Sequence, residues 1–465
     1  MIRYRNISTN PRRRGMAYIL AVAMLCVLAA LAVAYAATTG TNLRTGRNMS
    51  EVQAARMNAE GGLSYMLRQL RALQLDPNTT AANAITNLGA SLSTAMNGTA
   101  NLGGQAIGVG TSVTMPPINL DYGSFDAAIT KDGNGNLFLA VNGHANGINR
   151  TVQVGLSLTS NPPNSAFNYG IASRGSISVG GNSQILGKSV ASDASVISTT
   201  AGATAITVAG SAVIGGDLSS VGPTSTVVLS GNPTIAGSQD PQVIAQHVHF
   251  GVDPPIFPVV APTVFKPLAT GGVIDSHTNT RQKDAVFNNV VIKANTNPTF
   301  SSDVTLNGVV YIEAPNCVTF TSKVTLNGLV ATDNGANSGL SNCRISFQGQ
   351  VESFGVDALP NTSQFAAVKQ LTGTFIAAPG FDVSFAGQFT TINGTVAADK
   401  LTFSGQSGGT IKGSVLGLSD AACSIEGTVD IYIDRETGSG TPDAGFKMPV
   451  VVNAVQGSFQ DVTGS

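Results

Sequence analysis

The sequence predicts a mainly β protein with a long N-terminal helix: a transmembrane α-helix, a small antiparallel sheet, and then a parallel β-helix (solenoid) with coils of about 20 residues. An uncharged run covers residues 16–35, and apolar and polar residues alternate between 112 and 160. The motif Val-Thr-Leu-Asn-Gly begins at Val304 and again at Val324. The uncharged run is typical of a membrane span, and the alternation of apolar and polar residues is typical of a strand. The regular recurrence of the motif is typical of a solenoid.

The composition favours an extracellular β protein. Charged residues make up 11% of the chain, against a usual value of about 25%, and there are 53 Gly and no Trp. Small polar residues replace the missing charge, as in proteins built of short strands and many turns. The net charge is −1, but five Arg lie within residues 1–15, so the remaining chain is mildly acidic. Because no Lys/Arg cluster follows, we expect no nucleic-acid partner.

The N-terminal 76 residues predict a retained helix. Residues 16–35 are long enough to cross a ~30 Å hydrocarbon core, and the preceding Arg residues keep the N-terminus cytoplasmic. A cleaved secretion signal is the alternative, with Ala34-Tyr35-Ala36 as a near match to its cleavage site. Apolar residues continue, however, at helical spacings of three and four: Val52, Ala55, Ala59, Leu63, Met66, Leu70 and Leu73. Pro77 ends the pattern, so we expect one helix over 16–76, lipid-soluble first and amphipathic later.

The junction Arg12-Arg13-Arg14-Gly15-Met16 ahead of the apolar run resembles the leader junction of type IV pilins and pseudopilins. Residues 53–63 and 147–171 resemble stretches of PilX-type minor pilins. The resemblance implies that 1–15 is a leader which a prepilin peptidase removes between Gly15 and Met16, leaving a methylated N-terminus. It also implies that the helix packs against other pilin or pseudopilin subunits in a filament.

One position departs from the family pattern. Major pilins carry Glu at the fifth position after the cut, where this chain has Leu20. A carboxylate in the bilayer costs roughly 2.5–3.5 kcal/mol and is tolerated where it is paired. Leu20 removes both the cost and the pairing, which favours a tip or priming subunit over a shaft subunit. A membrane tether that never polymerises is the alternative.

Residues 77–160 predict a connector followed by a small pilin-like sheet. Ile85, Leu88, Leu92 and Met96 indicate a short helix. The stretch 132–136 separates two strand patterns and has the spacing of the first calcium ligands of an EF-hand loop. Leu137 and Gly143 occupy the positions where such a loop needs Gly and Glu, so a Gly/Asn hairpin turn is the better interpretation.

The remaining chain predicts a bactofilin-like β-solenoid in two blocks, 165–240 and 285–435, with a Pro-rich connector at 241–284 and a tail at 436–465. Looser copies of the motif begin at 345, 383, 401 and 423, and earlier ones at 176, 206 and 227. The period near 20 predicts that six side chains form a single inward stack: Leu306, Leu326, Phe347, Phe385, Phe403 and Ile425.

Catalytic β-helices need acidic residues clustered on one face. The Asp residues of the second block are instead scattered near turns: Asp333, Asp357, Asp382, Asp399 and Asp420. We therefore expect no catalytic site, no cofactor and no enzyme activity.

His247 and His249 could share a strand face, with Asp253 and the segment 275–277 nearby, which leaves a zinc site as an alternative. Their Pro-rich surroundings favour surface histidines, so we expect no metal. Cys26 lies in the membrane span, and Cys317, Cys343 and Cys423 lie in or near β repeats. A bond between Cys317 and Cys343 is left open.

These observations together predict a minor pilin or pseudopilin-like structural subunit of a type IV pilus or type II secretion-like system. One N-terminal span would hold it in a bacterial inner membrane, with the bulk periplasmic or extracellular in a filament. The alternatives are a membrane-tethered β-helical adhesin or scaffold, and a carbohydrate-active β-helix enzyme. The ligand of the rod, a surface or a polysaccharide, is left open.

Overall fold

The structure, a computed structural model, describes residues 11–160, 162–435 and 444–462. For residues 11–15 it describes the backbone alone. Residues 1–10 of the expected leader lie outside the described residues. The chain divides into two units. Unit 1 comprises Met1–Leu75, Thr79–Leu158 and Val452–Ser465, and unit 2 comprises Asp76–Asn78 and Thr159–Val451.

Unit 1 begins with two helices and an antiparallel sheet. The helices are α1 (Pro11–Ala72) and α2 (Ala84–Met96). The first strands are β1 (Gly108–Val109), β2 (Val113–Leu120), β3 (Gly123–Lys131), β4 (Leu137–Ala145) and β5 (Ile148–Thr159), paired in chain order. Strands β3 and β4 form the expected hairpin, because the Asp132 carboxylate accepts hydrogen bonds from the backbone N–H groups of Asn134 and Asn136 in its turn. The predicted long helix, second helix and hairpin are confirmed.

The second half of α1 packs on this sheet through the predicted amphipathic face. Ala55, Ala59 and Met66 are buried, and the helix approaches β4 very closely at Gly143. A Cβ atom added to Gly143 would lie 2.1 Å from the Ala55 carbonyl oxygen, so only glycine fits. The Asn58 side-chain amide, itself buried, donates to the Tyr122 and His144 carbonyl oxygens at 3.2 and 2.9 Å. These two bonds fix the axial position of the helix on the sheet.

Unit 2 is a solenoid of short strands. The early strands are β6 (Ile171–Ser173), β7 (Ile177–Gly181), β8 (Gln184–Gly187), β9 (Val196–Ser198), β10 (Thr204–Gly210), β11 (Val213–Ile214), β12 (Leu218–Ser220), β13 (Thr226–Gly231) and β14 (Thr234–Ile235). The helical turn α3 (Pro241–Ile244) and the strands β15 (Val248–Phe250), β16 (Val259–Val260) and β17 (Gly272–Ile274) follow.

The later strands are longer, and several turn a corner of the coil without a break. They are β18 (Ala285–Ile292), β19 (Thr299–Phe300), β20 (Val304–Ile312), β21 (Asn316–Phe320), β22 (Val324–Thr332), β23 (Cys343–Phe347), β24 (Val351–Ser353), β25 (Thr374–Phe385), β26 (Thr391–Asn393), β27 (Thr395–Gly405), β28 (Gly408–Lys412), β29 (Val415–Gly417), β30 (Cys423–Gly427), β31 (Asp430–Ile433) and β32 (Phe446–Lys447).

Strand pairing within the stack is parallel and gives each complete coil three faces. The first face contains β6, β9, β12, β15, β17 and β29, the second contains β7, β10, β13, β21, β23 and β30, and the third contains β8, β11, β14, β26, β28 and β31. The repeated motif pairs in register, since Val304–Ile312 lies directly beside Val324–Thr332. The mainly β, parallel solenoid architecture is confirmed.

The stacking order of the coils differs from their order in the chain. Strands β29, β30 and β31 pair with β6, β7 and β8, so the last coil of the later block lies on the first coil of the earlier one. The two predicted blocks therefore form one continuous stack. The first coil in the chain lies in the middle of the stack, and the coils that follow it extend to one end of the stack at β15. The chain resumes at β17, at the opposite end, and the later coils extend from there back to the middle.

A column of phenylalanines fills the coils behind the second face. The rings of Phe300, Phe320, Phe347, Phe385 and Phe403 are stacked with centroids 4.8–5.1 Å apart and interplanar angles of 6–12°. The column continues through Ile425, Val179, Val208 and Leu229.

This column corrects one prediction. All six residues expected in a single stack are buried, but Leu306 and Leu326 pair with each other and then with Ser353, on the third face. Phe347 pairs instead with Phe320 and Phe385. The coil at 318–326 carries two similar Val-Thr-apolar segments, at 318–320 and 324–326, and the prediction joined one kind to the other.

The Pro-rich segment covers the outer side of the first face. Phe257 and Phe265 are buried against outward side chains of successive strands, among them Tyr311 and Ala331. Strand β16 pairs antiparallel with β32 above this layer. The first face is therefore apolar on both sides, which explains the consecutive apolar residues at 309–312 in β20 and at 329–331 in β22.

The chain then returns to unit 1. Strands β33 (Val451–Ala454) and β34 (Gln460–Val462) both pair with β5. Part of the segment interpreted as a C-terminal tail thus completes the antiparallel sheet, and the solenoid is an insertion between β5 and β33.

Candidate functional site

Residues 16–43 of α1 form an exposed apolar surface. All side chains from residue 16 to residue 50 are exposed, and residues 16–43 carry no charged group. Met16, Leu20 and Leu28 are 76%, 66% and 65% exposed. Large apolar side chains in water are unfavourable by ~1.5–3 kcal/mol each relative to a buried state, so this surface requires lipid or protein around it. The helix is long and apolar enough to cross a membrane.

Threonine hydroxyls extend this apolar surface beyond residue 35. Thr38, Thr39 and Thr41 donate to the carbonyl oxygens four residues earlier, at 2.8–3.0 Å. A hydroxyl bonded within its own helix needs no water, which suits an apolar environment. The first charged side chain after the run, Arg44, is followed by an Arg47–Glu51 ion pair at 3.0 Å.

The predicted processing and assembly residues lie on this helix. Gly15 and Met16 are consecutive helical residues of α1, and Leu20 follows one turn later on its exposed surface. Cys26 is also exposed. Leu20 therefore presents an apolar side chain, without a carboxylate, on this surface.

The outer face of the unit 1 sheet carries a polar network that sequence reasoning missed. The His144 imidazole contacts the Asn149 amide oxygen at 2.7 Å through Nδ1 and the Asp126 carboxylate at 2.6 Å through Nε2. Asn142 donates to Asp126 at 2.8 Å. The bonds to Asn149 and Asp126 favour the protonated ring and raise the pKa of His144. Cross-strand alternation over β3, β4 and β5 could have indicated these neighbours.

The five Asp residues weighed as catalytic candidates have separate surroundings. Asp333 accepts a hydrogen bond from the Tyr311 hydroxyl at 2.7 Å, and Asp382 pairs with Lys400 at 3.0 Å. Burial raises the pKa of Asp399. Asp357 and Asp420 are exposed.

Lys266 fastens the Pro-rich segment to the solenoid. Its ammonium group lies 3.1 Å from Glu313, 3.7 Å from Asp333 and 5.2 Å from the Tyr311 ring centroid. Burial alone would raise the pKa of Glu313, but the hydrogen bonds from Lys266 and Lys293 lower it. The net effect is a lowered pKa. No local sequence pattern indicates this cluster, because its members are distant in the chain.

His247 and His249 meet a carboxylate that the sequence did not single out. Asp217 lies 2.7 Å from His247 Nδ1 and 3.7 Å from His249 Nε2. The register of β12 with β15, which pairs Leu218 with Val248, places Asp217 beside His247. Among the described residues, no group of three or more His, Cys, Asp or Glu side chains could hold a metal ion.

All four cysteines are free thiols. Cys343 points into the core, and Cys317 lies partly exposed with its Sγ 3.7 Å from the Ser341 carbonyl oxygen. Strand pairing sets Asn316, not Cys317, opposite Cys343. Burial raises the pKa of Cys423 to about 12, so this thiol is unreactive.

Comparison with known proteins gives a likeness to a solved structure. No protein-family model and no curated protein matches the sequence. The crystal structure of the competence-associated pilin ComZ from Thermus thermophilus is similar over 89% of this chain and 97% of its own, with 12% identity and a TM-score of 0.24.

Proposed function

We propose that this protein is a minor pilin or pseudopilin-like structural subunit of a type IV pilus or type II secretion-like system, with no catalytic role. The observation that carries the proposal is the contrast between an exposed apolar part and a buried part of the same helix, α1. From residue 16 to residue 43 the helix is exposed and uncharged, and its C-terminal part is buried on an antiparallel sheet. A helix of this kind can sit in a bilayer and later exchange lipid for equally apolar neighbouring helices.

A continuous helix also disfavours a cleaved secretion signal. Residues 34–36 lie in the middle of α1, with no turn or break around them. A cut there would remove most of the apolar surface and sever a helix that is continuous with the part packed on the sheet. We infer that a prepilin peptidase cuts after Gly15 instead, and that the solenoid is then carried outside the cytoplasm.

Leu20 supports a tip or priming position. A shaft subunit of the family offers a carboxylate to the amino terminus of its neighbour, and an apolar side chain cannot replace that pairing. A subunit without the carboxylate needs no partner on that side. The bulky solenoid inserted between β5 and β33 would be least restricted at a filament end.

Processing is tested by sequencing the mature N-terminus in cells that express the peptidase. We expect Met16 as the first residue. Gly15→Val should leave an unprocessed precursor, whereas Gly46→Val, at an exposed glycine with free space around it, should be processed normally. A mature chain beginning near Ala36 would contradict the proposal and leave a secreted solenoid.

Assembly is tested by quantifying the subunit in sheared filaments. We expect a small, length-independent amount per filament. Leu20→Glu should not increase it, and an increase in proportion to filament length would contradict the tip position. A processed protein that never appears in filaments would indicate a membrane tether.

A further inference from the structure

A polar groove crosses three coils of the solenoid at the corner between the second and third faces. Its cavity volume is about 330 Å³, at the lower end of the range of ~300–1,000 Å³ for ligand sites. The side chains around it are Gln388, Gln406, Ser407, Thr428, Asp430 and Tyr432. With a coil spacing of ~4.8 Å, these three coils span roughly 10 Å along the stack.

Two polar atoms of this groove lack a hydrogen-bond partner although they are buried. They are the hydroxyl oxygen of Ser407, a residue 1% exposed, and Oδ1 of Asp430. An unsatisfied buried polar group carries an uncompensated desolvation cost. Both atoms belong to residues that line the same groove, so a hydroxylated ligand that the Ser407 and Asp430 side chains rotate to meet would remove both costs at once.

The lining selects for an uncharged ligand. Among the described residues no Lys or Arg lines the groove, and Asp430 would repel phosphate, sulfate or carboxylate groups. Gln388 and Gln406 are exposed, and each offers both a donor and an acceptor. Sugar hydroxyls, which also donate and accept, match this set.

An aromatic side chain and two glycines complete the groove. Tyr432 is 40% exposed, so its ring can cover the apolar face of a sugar while its hydroxyl stays hydrated. Gly408 and Gly409 form the part of the groove that has no side chains. A Cβ atom at Gly409 would lie 1.8 Å from the Phe389 carbonyl oxygen, so the glycine is required by the fold and keeps the groove open.

We propose that this groove binds a segment of a neutral polysaccharide. The ligand lies across the coils, with its hydroxyl groups on Ser407, Asp430 and the two glutamines and one ring against Tyr432. The inference goes beyond the role as a filament subunit and does not depend on it.

The test uses the full chain in lipid nanodiscs, since the sugar headgroups of maltoside detergents would compete with the oligosaccharides for the groove. Neutral hexaoses built of glucose, mannose or N-acetylglucosamine are titrated calorimetrically, with oligogalacturonate as the anionic probe. At least one neutral hexaose should bind with a Kd below about 10 mM, and oligogalacturonate should not bind. Gln406→Ala and Tyr432→Ala should each weaken binding by about tenfold.

Gln370→Ala, at an exposed glutamine outside the groove, is the matched control and should bind like the unchanged protein. Far-UV circular dichroism checks that each variant is folded, and both groove positions are exposed, so folding should persist. The proposal is overturned if no neutral hexaose binds up to about 10 mM, if the groove variants bind unchanged, or if the anionic probe binds more tightly. Because unassembled protein is used, filament formation does not affect the result.

Discussion

Phe347 lies in the middle of the phenylalanine column, and its truncation should weaken the solenoid. The ring is 1% exposed and stacks on Phe320 at 5.1 Å and on Phe385 at 5.0 Å, nearly parallel to both. Phe347→Ala removes both contacts and leaves a cavity between two coils. The strands on either side are held by backbone pairing along their whole length, so the cavity cannot close by local collapse.

The expected loss is about 3–5 kcal/mol in the free energy of unfolding, the usual cost of truncating a buried Phe to Ala. For a unit of this size that corresponds to a fall in Tm on the order of 10 °C. Thermal unfolding of the full chain in nanodiscs, followed by far-UV circular dichroism, measures it. Hydrogen exchange should show the largest loss of protection in β21, β23 and β25.

Phe354→Ala is the matched control, because Phe354 is 55% exposed and lies seven positions later in the chain. It should change Tm by no more than about 1–2 °C. Equal shifts for the two variants would refute the reasoning, since the column would then contribute no more than a surface ring.

Three further changes test other parts of the molecule. Gly143→Ala should detach α1 from β4 and lower the denaturation midpoint of unit 1, whereas Gly133→Ala, at a glycine with free space around it, should be neutral. Leu326→Asp should unfold coils of the solenoid, whereas Thr325→Asp, on the outer side of the same strand, should have a mild effect on stability. Circular dichroism distinguishes the two variants, and equal tolerance of both changes would contradict the register. The raised pKa of His144 predicts stabilisation that is complete below about pH 6.5 and lost as pH rises through the folded pKa, so the stability difference from His144→Gln should shrink toward alkaline pH.

Local patterns predicted the elements that depend on near neighbours. The buried face of α1, the short helix α2 and the turn at Asp132 all follow from spacings within a few residues. The repeat at Val304 and Val324 predicted the pairing of β20 with β22, because equal spacing in a solenoid places equivalent residues side by side.

Features that depend on distant residues could not be read in the same way. The repeat period fails after Thr332, where residues 333–342 and later 354–373 leave the coil, and the predicted stack joined the wrong columns there. The contact of Asp217 with His247 requires the coil register, and the return of β34 to β5 has no counterpart in nearby sequence. The groove at Ser407 combines three coils, so its residues look unrelated in the chain.

The entry of the chain at a middle coil has a consequence for the order of synthesis. Strands β6, β7 and β8 receive partners on one side as soon as β9, β10 and β11 are made. Their other edges remain open until residues 415–433 emerge and pair with them. An open, apolar strand edge recruits other chains, so the nascent protein carries an aggregation-prone surface through about half of its translation. Closure of this internal seam, rather than growth at either end, is the step that completes the rod.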